Sequence, residues 1–145
     1  MRSQLVEKLK AAGVSKIHEV MIGYDGIVFA SSAQRADFAL EPFHVFKAIA
    51  AQVPVDGKLV NNPYTKWNEI DPSLPDQPIA LAIPASNHGT REVFQERVIA
   101  EGAKAAGLPE LSEEELEKVT TTFRQDVVVE IAGDYTETLA RLQAN

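Results

Sequence analysis

There is no cysteine among the 145 residues of this chain. That excludes disulfides, thiolate metal ligands and cysteine nucleophiles together, and it leaves the redox compartment open. Basic residues are also scarce, with 14 Lys and Arg against 21 Asp and Glu and a formal net charge of -7. Such a balance lacks the electrostatic footprint of a nucleic-acid or anionic-membrane binder. A small anion feels the overall repulsion only within a Debye length of about 8 Å at physiological salt, so local dipoles can outweigh it. No apolar run approaches the roughly 18 to 20 residues of a membrane span. The stretch from Met1 to Lys10 has no uninterrupted apolar core of the secretory-signal kind. Walker A and nucleophile-elbow patterns are missing, and the Asp25-Gly26 turn lacks the other oxygens of a calcium loop. Hence no metal, cofactor or catalytic group is expected.

What is present is the composition of an ordinary folded domain, 45% hydrophobic and 24% charged. Ser3 can cap a first helix striped by Leu5, Val6 and Leu9 and stopped by Gly13. The runs 17–22 and 26–30 read as strands around the Gly23-Tyr24-Asp25 turn. A helix is predicted from Pro42, burying Phe43, Phe46, Ile49 and Ala50. The turn-rich stretch 53–63 is expected to be irregular. Tyr64 to Ile70 should form one or two helical turns anchored by Trp67 and ended by Asp71-Pro72. Pro78 to Ile83 has the length and apolarity of a buried strand. A helix from Arg91 to about Ala106 follows, with Gly102 its weak point and Gly107-Leu108-Pro109 its break. Ser112 and Glu115 form a capping-box pattern, Val127 to Ile131 a β-branched strand, and Gly133-Asp134 opens a last helix with Leu139 and Leu142 facing inward. This alternation predicts an α/β sandwich with a mostly parallel sheet.

Chemistry concentrates in the loop between the strand ending near Pro84 and the helix that follows. Ser86, Asn87, His88, Gly89 and Thr90 offer two hydroxyls, an amide, an imidazole and the first backbone N–H groups of a helix. Gly89 lets an oxyanion come close to the backbone, and Arg91 adds a planar cationic fork. The set suits a tetrahedral oxyanion. Spacing alone favours a plainer reading, a structural helix whose N-terminus Thr90 or Asn87 caps. A hydrolase would need His88, with Asp25 or Glu92, to activate the hydroxyl of Ser86 or Thr90, and nothing in the sequence brings these groups together. His18 and His44 read as structural or exposed.

Three blocks in order, Ile22-Gly-Tyr-Asp-Gly-Ile-Val-Phe-Ala30, Lys66-Trp-Asn-Glu-Ile-Asp-Pro-Ser-Leu-Pro75 and Asn87-His-Gly-Thr-Arg-Glu-Val-Phe94, resemble the phosphate-binding periplasmic receptors of ABC transporters. The resemblance covers most of the chain. It implies a type II periplasmic-binding-protein-like lobe, a three-layer sandwich with a mostly parallel sheet, with residues 1–145 as a single lobe of a two-lobed receptor. It further implies inorganic phosphate or a similar oxyanion as ligand, a membrane permease as partner, a periplasmic location, and a binding rather than an enzymatic role. The family's Ser-Gly-Thr signature falls on His88, Gly89 and Thr90, so Gly89 and Thr90 match and His88 replaces a hydroxyl by an imidazole. Some members carry an arginine where this chain has Pro84, which leaves Arg91 to supply the charge. Asp25 is the expected acceptor for a protonated ligand oxygen. Receptors of this family also have an earlier lobe, so half a cleft is expected here. The alternative expectation is a non-catalytic interaction domain that self-associates through the surface facing the other lobe.

Overall fold

The computed structural model describes residues 3–24, 26–31 and 39–144, with side chains from Leu5 onward. The first helix, α1 (Ser3–Ala11), ends where Gly13 adopts φ +92 and the Val14 N–H returns to the Leu9 carbonyl, a glycine stop. The Ser3 cap lies outside the described side chains. Residues 14–24 and 26–31 form no strand, which corrects the two strands expected at 17–22 and 26–30. The reason is the lack of a neighbour: a strand needs a ladder partner, and no described segment pairs with this one. Its side chains show the same thing, since Ile22 is 98% exposed whereas Ile27 packs on the core and Phe29 meets Phe94 edge to face.

The core forms around α2 (Pro42–Ile49), which starts on a proline at its first position as predicted. Phe46 and Ile49 are fully buried. They face a continuous helical rod made of α4 (Gly89–Phe94), a π-helical turn (Gln95–Ile99) and α5 (Ala100–Ala105). Gly102 is the closest point of that crossing, where an added Cβ would sit 2.2 Å from the Pro42 carbonyl oxygen. The stretch expected to be irregular is instead a hairpin of β1 (Gln52–Val55) and β2 (Lys58–Asn61) in antiparallel register. Asp56 and Gly57 both take positive φ, 51 and 76, which is the two-residue turn that matches strand twist. Asn62 then ties the hairpin to α2 by donating to the Lys47 and Ala50 carbonyls at 2.7 and 2.8 Å. Short α3 (Trp67–Ile70) buries Trp67 as the anchor the sequence predicts.

β3 (Leu81–Pro84) and β4 (Val128–Ile131) pair in parallel, Leu81 opposite Val128 and Pro84 opposite Ile131. Between them runs α6 (Glu113–Thr121), opened by the predicted capping box: Ser112 Oγ accepts from the Glu115 N–H, and Glu115 Oε2 from the Ser112 N–H at 2.9 Å. After β4 comes α7 (Tyr135–Ala144), where Asp134 accepts from the Thr136 N–H. The inward Leu139 of the prediction is corrected, because α7 buries no residue and Leu139 is 58% exposed. The architecture is a mixed α/β domain in which the described strands form two separate pairs, one antiparallel and one parallel. Among the described residues no helix is long and apolar enough to cross a membrane.

Candidate functional site

Parallel pairing brings the carboxyl ends of β3 and β4 to the same edge, and each strand feeds a helix there. Ala85 N–H extends the ladder to the Ile131 carbonyl, the chain turns over Ser86 and Asn87, and the His88 N–H returns to the Ala85 carbonyl. His88 then sits with extended backbone as the residue before α4 and makes no side-chain cap. This departs from the capped helix that spacing favoured. Thr90 and Asn87 do not close the N-terminus, and the N–H groups of Gly89 and Thr90 have no acceptor among the described residues. Nor do the side chains of Ser86, Asn87 and Thr90 bond to any described residue; Ser86 and Asn87 are exposed and Thr90 is half-buried. Space above Gly89 is open, with no atom within 4 Å of where a Cβ would stand.

Behind this loop lies Arg91, only 4% exposed. Its Nη1 donates to the Pro84 carbonyl at 2.7 Å and its Nη2 to Glu130 Oε1 at 3.1 Å, so one guanidinium joins the ends of both strands. Its carbon lies 4.8 Å over the Phe123 ring, a cation–π contact in a dry setting. Its Nε is buried and makes no hydrogen bond to a described residue. A buried donor in that state is uncommon and points to a water or an ion. The second strand's loop is held too, through His88 Nε2 and the Ala132 carbonyl at 3.3 Å.

The structure therefore gathers Ser86, Asn87, His88, Gly89 and Thr90 in one loop, with Arg91 packed beneath it. Asp25 lies outside the described residues. Glu130, Ala132 and Phe123 belong to the same neighbourhood and were not anticipated, because their partners are some 30 to 45 positions away in sequence and no local pattern marks them. The pairing a hydrolase needs is not formed, since the Ser86 and Thr90 hydroxyls make no bond to the His88 ring. No group of three or more His, Asp or Glu converges on a metal position among the described residues.

A family model described as a PBP superfamily domain matches residues 1–145. Protein SphX of Synechocystis sp. is 36% identical over 63 residues, which are 43% of this chain and 18% of that protein. The match with that curated relative thus spans less than a fifth of its length. No solved structure matches the chain. The family is one of solute-binding receptors, not an enzyme class. By a match along its whole length, this chain belongs to the PBP superfamily domain family.

Proposed function

We propose that this chain supplies one oxyanion-binding lobe of a solute receptor, with inorganic phosphate or a similar tetrahedral oxyanion as ligand. The observation that carries this reading is the open start of α4, where two backbone N–H groups and three polar side chains stand without partners beside a glycine with free space above it. In this reading Gly89 and Thr90 donate through the backbone and Thr90 through its hydroxyl, while Ser86, Asn87 and His88 form the rim. Arg91 fixes the loop from beneath; Glu130 neutralises much of its charge, so the helix dipole is the larger attraction. Asp25 remains the proposed acceptor for a protonated ligand oxygen. The same reading makes a membrane permease of an ABC transporter the partner of the assembled receptor, places it in the periplasm, and gives the complete lobe a three-layer sandwich grown on the β3–β4 pair. One lobe leaves its ligand hydrated on the far side, which makes affinity weak.

Gly89→Ala tests the site cleanly, because the new methyl meets nothing in the fold and fills only the space an anion needs. Calorimetric titration with phosphate should show affinity reduced about tenfold or more, as for a lost close contact to an anion. Equal binding by the variant and the parent would remove Gly89 from the site.

A second reading, self-association, draws support from the exposed apolar side chains of Val20, Met21, Ile22, Tyr24 and Val28, all at least 70% exposed. It is compatible with the first, because such a surface suits a neighbouring lobe or chain.

A further inference from the structure

We propose that Glu130 is a built-in competitor of the anion, its carboxylate standing on the edge of the Arg91 guanidinium that would otherwise hold ligand oxygens. The inference rests on the oxyanion reading above and adds what limits affinity at that site. A guanidinium grips an anion through parallel N–H groups along one edge of its plane, and one such edge is formed by Nε and Nη2. In Arg91 the other terminal nitrogen, Nη1, is taken by the Pro84 carbonyl at 2.7 Å. That leaves the Nε–Nη2 edge for an acid or an anion.

Glu130 fills this edge only in part. Its Oε1 accepts from Nη2 at 3.1 Å, whereas the buried Nε makes no hydrogen bond to a described residue. A carboxylate matched to a guanidinium fork takes both bonds, so a half-made pair leaves a donor still to be met. Burial separates the two partners further. Arg91 is fixed, 4% exposed with its guanidinium carbon 4.8 Å over the Phe123 ring, while the Glu130 side chain is 44% exposed at the end of its strand. Of the two, only the carboxylate can turn out into water. A carboxylate and an oxyanion are acceptors for the same donors and carry charge of the same sign, so each weakens the hold of the other. Glu130 brings a single charge. A doubly charged tetrahedral anion contests the edge better than a singly charged carboxylate ligand, which does no more than replace like with like.

The experiment is calorimetric titration of the whole chain with inorganic phosphate, at low and at physiological salt, on the parent and on Glu130→Gln. Glutamine keeps an oxygen for Nη2 and brings no charge. The variant should bind phosphate about tenfold more tightly, the order of effect of one unit charge a few ångströms from an anion at a protein surface. Its affinity should also fall more steeply with salt, because the unmasked guanidinium attracts through a screened field, and a purely structural role for Glu130 would not move that slope. Thermal unfolding shows whether the fold is kept, and Glu130→Thr, neutral and suited to a strand, reads the same comparison if the glutamine variant unfolds. Phosphate binding seen in the variant and too weak to measure in the parent is the same result in stronger form. Equal or weaker binding by a folded variant overturns the competitor role and leaves the site standing. Failure of parent and variants alike to bind phosphate overturns the site and the competitor together.

Discussion

Asp71 shows how much a single side chain can be shaped by partners distant in sequence. The Ser73 backbone N–H at 2.8 Å, then the Ser73 hydroxyl and the His44 ring, hold its carboxyl at about 2. His44, buried in the core face of α2, accepts the Glu41 N–H on Nδ1 at 3.0 Å and therefore presents Nε2–H to Asp71 at 3.1 Å. The sequence reading of His44 as structural or exposed narrows to structural. An unfolded aspartate titrates near ~3.9, so the unfolded chain takes up this proton first as pH falls. The stability due to Asp71 is thus complete above about pH 4 and lost as the pH drops through about 2. Urea unfolding of the parent and of Asp71→Asn should differ most at about pH 6 and converge towards about pH 2. A difference that stays constant across this range would mean that the carboxylate does not stabilise the fold. Local patterns at this scale were legible beforehand: the Ser112–Glu115 box and the Gly107 break, at φ +76, involve residues close in sequence and formed as written.

Helices were read more reliably than strands, and the crossing of α2 with α5 explains one correction. Gly102 reads in sequence as a weak point of its helix. In the fold it is what lets the helix lie against Pro42, since a Cβ there would be 2.2 Å from the Pro42 oxygen and 3.0 Å from Phe46 Cβ. Gly102→Ala gains helix propensity but must push two helices apart, and overpacking of this kind costs about 1–3 kcal/mol. Thermal unfolding should show the variant less stable; an increase in stability would mean that the helices shift apart freely. Hairpin β1–β2 was missed because Pro54 and the density of turn formers outweighed the Asp56-Gly57 signal. Pro54 is tolerated on a two-stranded ribbon, where one side of each strand needs no ladder partner. The oxyanion loop was the opposite case. Its composition was plain in sequence, whereas its lack of a cap became visible only when the first-turn N–H groups could be followed to their partners.

Across the whole molecule, the apolar run from Val20 to Phe29 is the largest departure from an ordinary domain surface. Its composition predicts strands, and its exposure shows that the sheet able to receive them is not among the described residues. Apolar side chains exposed in this number favour association with another chain. Sedimentation velocity should therefore give a coefficient that rises with protein concentration, and a double variant, Ile22→Lys with Val28→Lys, should suppress the rise. A parent chain that sediments as a monomer at every concentration would count against association through this surface. The family match along residues 1–145 and the partial match to SphX agree with the resemblance carried by the Ile22, Lys66 and Asn87 blocks.

Sequence alone sufficed for the composition of a folded domain, the absence of thiol chemistry, the helix starts and stops, and the loop that carries polar groups to a helix N-terminus. Each of these depends on residue type or on neighbours within a turn or two of chain. Which strands find partners, that Arg91 joins Pro84 to Glu130, and that His88 reaches the Ala132 carbonyl depended on the fold. Those are contacts between segments far apart in the chain, and no local propensity encodes which of the available partners will be near.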